Sequence, residues 1–307
     1  MQEIYQQTLS MPICFEGVGL HSGQNSKIKI LPGNEDQGIV FKRIDLKNNN
    51  LVKASYKNVS SAKLCTTLKN EYGVKISTVE HLLASLYIMG IDNAIIEINK
   101  EEVPIMDGSA KSFLNILKKT NIKEQSKKIK YLKILDTVEL IDGSRKISIE
   151  PNDNFEVDFQ LNYQNKIIGN QRNVINFQED DLNKIIESRT FCLFEDIEKI
   201  KKFGLGKGGS LDNAVVVDKD KILNAGGLRN EKEFVNHKIL DLAGDFLLSG
   251  YRVLGKIKCY QGGHELTNMF LRKLLKSASA FSNLEFKDTV FSKKNKTNQS
   301  IKIAVNA

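Results

Sequence analysis

The chain has 307 residues, of which 45 are Lys or Arg and 37 are Asp or Glu, so its net charge is +8. At about 150 residues per domain, this length corresponds to one large or two ordinary domains, and such a chain buries about 75% of its unfolded surface. With 41% hydrophobic and 27% charged residues, the composition is that of a globular protein and excludes a disordered chain.

Membrane and secretion signals are missing from the sequence. No apolar run approaches the roughly 20 residues of a membrane-spanning helix, and MQEIYQQTLS lacks the basic and apolar regions of a signal peptide. Cys14, Cys65, Cys192 and Cys259 are far apart and form no CxxC pair, which favours reduced cytosolic thiols. We therefore expect a cytoplasmic protein without stable membrane insertion.

The basic charge accompanies a general richness in Lys, Asn and Ile, and part of it lies in the final segment FSKKNKTNQSIKIAVNA. We interpret residues 283–307 as a basic, solvated tail. A nucleic-acid-binding protein is the alternative for this charge, with an affinity that would fall steeply with salt. Because no segment interleaves basic and aromatic residues, we expect no nucleic-acid partner.

The first half begins with the strand-like alternation SKIKIL and continues to a helix and a strand in KISTVEHLLASLYIMGIDNAIIEIN. In that segment, Leu82, Leu86 and their neighbours recur at helical spacing, Gly90 can end the helix, and residues 94–98 read as a buried strand. The loop KEEVPIMDGSA and a second helix, KSFLNILKKT, follow.

The second half repeats this order more than 150 positions later. It opens with RKISIE, and a helix that carries Ile239, Leu240 and Phe246 then ends near Gly250. A strand over 253–260, a Gly-containing loop and a helix over 269–275 follow. We predict an α+β fold made by an old duplication, in which each half is a sheet covered by helices. The polar segment QSKKIKYLKI places the boundary near Gln125, giving domains over 1–125 and 126–282.

The four histidines are His21, His81, His237 and His264. A lone histidine is most commonly a structural or surface side chain. Here His81 and His237 occupy equivalent places, each at the start of the helix that precedes a strand, and His264 lies in the Gly loop after the second of these strands. This joint arrangement favours a shared site.

His237 and Asp241 are four residues apart on the predicted helix, which leaves them within about 40° of each other on one face. Such a pair alone is typical of an ordinary helix surface. With His81 from the other half, it forms a His, His, Asp set with an open fourth position, the pattern of catalytic zinc sites. The same ligands also suit Fe2+, so we expect Zn2+ with Fe2+ as the alternative.

Glu80 directly precedes His81 and has two interpretations. Residues 77–80, STVE, fit a helix capping box. Alternatively, Glu80 is the general base that takes a proton from water at the metal, whose pKa zinc lowers to about 7. Asp245, one turn after Asp241, is either a solvated helix carboxylate or a group that orients a catalytic imidazole.

The segment FGLGKGGSLDNAVVVD is a Gly-rich loop that enters a Val-rich strand. One interpretation is a phosphate-cradling loop of a small-molecule kinase. The segment lacks the GxxxxGK[ST] spacing, and its Lys lies between glycines, which makes this interpretation the weaker one.

Seven segments together resemble the UDP-3-O-acyl-N-acetylglucosamine deacetylase family, the zinc amidases of lipid A biosynthesis in Gram-negative bacteria. The resemblance extends from near residue 1 to about residue 280. The segments are GVGLHSG, STVEHLLASL, EVPIMDGSA, SRTF, GLGKGGSLDNAVVVD, FVNHKILDLAGD and GGHELTN.

The resemblance implies a role for each candidate site residue. It implies that zinc is bound by His81, His237 and Asp241, that Glu80 is the general base, and that His264 is the general acid. The further residues that it implies are Asp245 as the support of His264, Thr190 as an oxyanion donor, and Lys238, Phe191 and His21 as substrate contacts.

The family also implies two packed two-layer α/β sandwich domains with the active site between them, and a UDP-linked acylated amino sugar as the substrate. We expect a monomer. An insert around 197–217 is expected to form an apolar passage for the acyl chain. The expected passage residues are Leu64, Ile197, Leu211 and Val216. Gly206 and Lys207 depart from the family pattern and leave the acyl preference open.

Overall fold

The computed structural model describes residues 4–284, which form a mixed α and β fold with six α-helices. The helices are α1 Glu80–Ile88, α2 Lys111–Leu117, α3 Asn183–Ile186, α4 Phe194–Lys202, α5 Glu233–Leu247 and α6 His264–Leu274. Two short 3-10 turns lie at Tyr56–Asn58 and Ala278–Ala280.

Ten strands come from the first half of the chain. They are β1 Tyr5–Leu9, β2 Ile13–Val18, β3 Asn25–Pro32, β4 Ile39–Arg43, β5 Leu51–Lys53, β6 Val59–Ser61, β7 Thr67–Lys69, β8 Lys75–Ile76, β9 Ala94–Ile98 and β10 Ile122–Lys128. Five of them form a sheet in the order β2-β3-β9-β4-β5. Buried and exposed residues alternate along β3, as expected for a strand with one face on the core. The sequence prediction of this strand is confirmed.

Ten further strands follow in the second half. They are β11 Tyr131–Ile134, β12 Val138–Asp142, β13 Arg145–Glu150, β14 Phe155–Asn162, β15 Asn170–Asn176, β16 Phe191–Leu193, β17 Val215–Asp218, β18 Lys221–Ile222, β19 Arg252–Tyr260 and β20 Phe281–Leu284. The main sheet runs β12-β13-β19-β14-β15, and the first residues of β19 also pair with β11, which in turn pairs with β20.

The two main sheets have equivalent topology. In each, the strand after the long helix is central, with an antiparallel neighbour on one side and a parallel neighbour on the other: β9 pairs with β3 and β4, and β19 pairs with β13 and β14. This match supports the duplication inferred from the sequence, and the α+β prediction is confirmed.

The halves pack through their helices, α1 against α5. Ala84 and Tyr87 of α1 belong to the core of the second half, while Leu248, just after α5, belongs to the core of the first. The predicted helix stops are also present, because Gly90 and Gly250 follow α1 and α5 with φ angles of +74° and +80°, which favour glycine. The helix pair therefore lies at the junction of two continuous cores.

Gly244 of α5 lies directly against the start of α1. A Cβ atom at this position would lie 2.1 Å from the Glu80 carbonyl oxygen and 3.0 Å from the Ala84 nitrogen. Such contacts require backbone movement, so only glycine permits this helix spacing. The spacing matters because α1 and α5 carry His81 and His237.

We expect Gly244→Ala to lower stability by about 1–3 kcal/mol, as overpacking does, and to lower turnover by moving α1 away from α5. In an unconstrained helix the same change would stabilise by about 1 kcal/mol. Denaturant unfolding and steady-state kinetics would measure both effects. A more stable variant with normal turnover would contradict this account of the helix contact.

Three boundaries differ from the sequence predictions. Gln125 lies inside β10, which pairs with β1 along its length, so the proposed division at residue 125 falls within a strand of the first half. The last helix begins at His264, not at residue 269, because the loop after β19 is short. Residues 283 and 284 belong to β20, and the remainder of the predicted basic tail lies outside the described residues.

Candidate active site

Three buried side chains converge at the junction of α1 and α5. His81 comes from the first turn of α1, and His237 and Asp241 lie one turn apart on α5. Asp241 Oδ1 is 3.3 Å from His81 Nε2 and 3.4 Å from His237 Nε2. One ligand atom from each residue lies within 4.8 Å of the other two. The predicted His, His, Asp set is therefore assembled in the folded chain.

The chemistry of these three side chains fits a metal cation. Asp241 Oδ1 and His81 Nδ1 are buried and have no hydrogen-bond partner among residues 4–284, which is costly for a carboxylate oxygen without a compensating cation. Burial lowers the pKa of His237 to about 3, so its imidazole is the neutral form that metals bind. The Ser188 carbonyl lies 3.1 Å from His237 Nδ1 and can fix its ring orientation.

Asp241 is held in the ionised form. Burial raises the pKa of this carboxyl, but the nearby His237, Lys238 and His264 outweigh burial and bring it well below its ordinary value. Lys238 Nζ donates to Asp241 Oδ2 at 2.9 Å. One carboxylate oxygen is thus bound by lysine, and the other faces the two histidines.

Glu80 and His264 form a second buried group beside the ligands. His264 Nε2 lies 3.7 Å from Glu80 Oε1 and 3.8 Å from Asp241 Oδ2, and its Nδ1 is 2.8 Å from Asp245 Oδ2. Asp245 therefore contacts an imidazole and is not a solvated helix carboxylate.

The pKa values of Glu80 and His264 are both raised, but for different reasons. Burial raises the pKa of the Glu80 carboxyl. Burial would lower the pKa of His264, but Asp245, Glu80 and Asp241 outweigh it and raise the pKa to about 10. At neutral pH the imidazole is therefore protonated and can donate a proton.

The capping-box interpretation of residues 77–80 is wrong. Helix α1 begins at Glu80 without a side-chain cap, and the Ser77 hydroxyl donates to the Glu101 carbonyl. The Glu80 carboxylate turns away from the helix start and accepts a hydrogen bond from the Thr66 N–H. Tertiary contacts, not local capping, place this side chain.

Thr66 is a residue of the site that the sequence reasoning did not identify. It is 2% exposed, its N–H donates to Glu80 Oε2 at 3.0 Å, and its hydroxyl donates to Asp245 Oδ1 at 2.7 Å. Ser188, whose carbonyl faces His237, was also missed. Ser188 begins the SRTF segment, but its backbone carbonyl carries no sequence signal, and Thr66 acts only through contacts with distant segments.

The SRTF segment places Thr190 and Phe191 at the edge of the site. Thr190 donates its N–H to the Gly108 carbonyl, and its own carbonyl accepts from Val215. The Phe191 ring packs edge-on against His237 at 6.4 Å between centroids, and Lys238 Nζ lies 5.6 Å from the centroid of Phe191. Phe191 therefore lies next to His237, and Thr190 precedes it on the same segment.

An apolar cavity of about 420 Å³ adjoins these residues. It is lined by every residue for which a passage role was expected, by two of the predicted substrate contacts and by the expected oxyanion donor. These are Leu64, Ile197, Leu211 and Val216 together with His21, Thr190 and Phe191. Leu64 and Leu211 are about half exposed, so they lie where the cavity meets solvent.

The Gly-rich loop packs on the segment that contains His21. Lys207 and Gly208 donate their N–H groups to the carbonyls of His21 and Leu20, and Gly209 donates to the Gly206 carbonyl. These N–H groups are engaged within the protein, which argues against a phosphate-cradling loop. His21 also lines the cavity, and both of its ring nitrogens are buried without a hydrogen-bond partner among residues 4–284.

A buried three-ligand metal site beside a carboxylate and a protonated imidazole is the arrangement of a metal-dependent hydrolase. The family model described as LpxC, UDP-3-O-acyl N-acetylglycosamine deacetylase, matches residues 6–276. The chain belongs to this family of metal-dependent deacetylases, and the resemblance seen in the sequence is confirmed.

Three relatives named UDP-3-O-acyl-N-acetylglucosamine deacetylase illustrate the similarity. The protein from Pseudoalteromonas translucida is 39% identical over 290 residues, covering 94% of this chain and 96% of the relative. The Saccharophagus degradans protein is 42% identical over 288 residues, with 93% and 95% covered. The Haemophilus influenzae protein is 41% identical over 288 residues, with 93% and 94% covered.

Within residues 4–284, none of the helices combines the length and apolar character required to cross a lipid bilayer.

Proposed function

We propose that this chain hydrolyses the N-acetyl amide of a UDP-3-O-(3-hydroxyacyl)-N-acetylglucosamine, releasing acetate and the UDP-3-O-acyl-glucosamine. The observation that carries the proposal is the convergence of a His, His, Asp ligand set, a buried base and a protonated imidazole beside one apolar cavity. Family membership supports the same reaction, which commits the substrate to lipid A biosynthesis.

The metal is proposed to be Zn2+, held by His81, His237 and Asp241. Two imidazoles and one carboxylate with an open position suit zinc, and they also suit Fe2+. When bound, such a cation would polarise the amide carbonyl and lower the pKa of water. Metal content determined on the purified protein distinguishes the two ions.

The residues around the ligands would move the protons of the reaction. Glu80 would accept a proton from the attacking water at its free oxygen, Oε1. His264 would donate the Nε2 proton to the departing amine, which is a poor leaving group unless it is protonated. The Thr190 hydroxyl would donate to the developing oxyanion, and Asp245 would hold the His264 ring through Nδ1.

The cavity and its rim would bind the substrate. An acyl chain fits the apolar wall formed by Leu64, Ile197, Leu211 and Val216, and His21 lines the same cavity. Lys238 and Phe191 would contact the sugar nucleotide beside the metal. In this proposal the apolar tail would occupy the cavity and the charged diphosphate would face solvent.

We further propose that the two halves of the chain act as two domains, with their boundary after β10 and not at residue 125, and that the chain is a cytoplasmic monomer without a nucleic-acid partner. The shared sheet topology supports two units of similar architecture. Size-exclusion chromatography with light scattering tests the oligomeric state.

Acetate release from UDP-3-O-(3-hydroxymyristoyl)-N-acetylglucosamine tests the proposed reaction directly. We expect turnover that disappears after chelation and returns with added Zn2+. UDP-N-acetylglucosamine, which lacks the acyl chain, is the control and is expected to react far more slowly, because it leaves the cavity empty. Full activity in a metal-free sample would contradict the proposal.

The pH dependence of kcat/KM is expected to be bell-shaped, since Glu80 must be ionised and His264 protonated. Activity falls at low pH through protonation of Glu80, whose raised pKa moves this limb above pH 4.5. It falls at high pH through deprotonation of His264, whose raised pKa moves that limb above pH 6.5. His264→Gln is expected to remove the alkaline limb, and an unchanged profile in this variant would contradict the assignment.

A further inference from the structure

Thr66 connects the two carboxylates on which the proposed proton transfers depend. It lies between β6 and β7 in the first half, next to the start of β7. Its N–H donates to Glu80 Oε2 on α1, and its hydroxyl donates to Asp245 Oδ1 on α5. One buried residue therefore spans the junction of the two halves.

Each hydrogen bond from Thr66 engages one oxygen of a carboxylate and leaves the other oxygen facing His264. Glu80 Oε2 is occupied by Thr66, while Oε1 faces His264 Nε2 at 3.7 Å. Asp245 Oδ1 is occupied by the Thr66 hydroxyl, while Oδ2 lies 2.8 Å from His264 Nδ1. Each carboxylate is thus held at one oxygen and directed toward the same imidazole with the other.

We infer that Thr66 is a positioning residue for this acid–base pair, an inference that rests on the proposed deacetylase reaction. Thr66 lies outside the ligand set and does not line the apolar cavity. Its hydroxyl acts through Asp245, fixing the carboxylate plane so that the His264 ring keeps its orientation. Its backbone N–H donates to Glu80, and this donor is retained when the Thr66 side chain is substituted.

Thr66→Val tests the hydroxyl because it preserves size and the backbone N–H. We expect kcat to fall about ten- to a hundredfold, the effect of a hydrogen bond to a charged group. KM and metal content are expected to stay within about twofold of wild type. Thr66→Ser restores the hydroxyl and is expected to recover most of kcat.

Thr67→Val is the matched control, since the Thr67 hydroxyl faces the Cys65 sulfur at 3.8 Å and not a catalytic carboxylate. This variant is expected to retain kcat. A Thr66→Val protein with normal kcat, or one in which KM rises while kcat is unchanged, would overturn the inference. So would a Thr66→Ser protein as impaired as Thr66→Val.

A double-mutant cycle with Asp245→Asn separates positioning from general destabilisation. Because Thr66 acts through Asp245, adding Thr66→Val to Asp245→Asn is expected to change kcat by less than about twofold. Independent, multiplicative effects of the two substitutions would contradict the inference.

NMR provides a readout that does not require the proposed substrate. The proton on His264 Nδ1, bound to a carboxylate, is expected to give a downfield resonance that His264→Ala removes and thereby assigns. We expect Thr66→Val to shift or broaden this signal, and Thr66→Ser and Thr67→Val to preserve it. An unchanged signal in Thr66→Val would overturn the inference, whereas failure of the wild-type protein to release acetate would overturn only the proposed reaction.

Discussion

His237→Ala and Asp241→Ala are each expected to lose bound metal and deacetylase activity together. Both side chains are buried on one turn of α5, and their ligand atoms converge with His81. Two remaining ligands hold a cation weakly, and the reaction then loses about 4 kcal/mol of charge stabilisation, or about 10³-fold in rate. The loss is expected in both metal analysis and acetate release.

Metal content determined by elemental analysis, alongside kcat/KM, checks this result. Glu124→Ala is a suitable control because Glu124 is an exposed acidic residue on β10, and it should leave both quantities unchanged. If either ligand variant kept a full equivalent of metal, the assignment of the site would be wrong. Circular dichroism of each variant tests that it is folded like the wild-type protein with which it is compared.

Glu80→Ala is expected to retain the metal and lose most turnover. The carboxylate lies beside the ligands but is not one of the three, so its removal leaves the metal-binding atoms in place. General base catalysis contributes about 10²–10⁴-fold, and we expect kcat to fall within that range. Glu80→Gln, which preserves size but cannot accept the proton, should show a similar loss.

The stability of the Glu80 variants separates catalysis from a structural role. Burial raises the pKa of Glu80, which means that the ionised form is disfavoured in the folded protein. Its removal is therefore expected to leave the unfolding free energy unchanged or higher, as is common for strained active-site groups. A clear fall in stability with normal turnover would instead indicate a structural carboxylate.

Local patterns in the sequence predicted much of the framework. The periodicity of apolar residues located α1, α5 and the strands β9 and β19, and Gly90 and Gly250 were correctly expected to end the two helices. These features depend on backbone preferences and on burial of one face, which act over a few residues. The repeated order of elements also anticipated the matching sheets.

Two features that the sequence did not reveal, the strand β10 and the partner of the Glu80 carboxylate, depend on contacts between distant segments. β10 contains polar and basic residues without a clear alternation, and it is a strand because it pairs with β1 more than 100 residues earlier. Glu80 similarly satisfied the pattern of a capping box, yet its carboxylate bonds to the Thr66 N–H. A local motif gives no information on such competing partners.

The proposed metal-ligand set was predicted from sequence, because the four-residue spacing of His237 and Asp241 places both on one helix face. The equivalent position of His81 in the other half completed that set. The packing of the folded chain decides how the site is assembled: Gly244 allows α1 and α5 to approach, and Thr66, beside the ligand set, hydrogen-bonds to Asp245 across 179 residues. Helical spacing follows from local geometry, whereas hydrogen bonds between distant segments exist only after the two cores have packed.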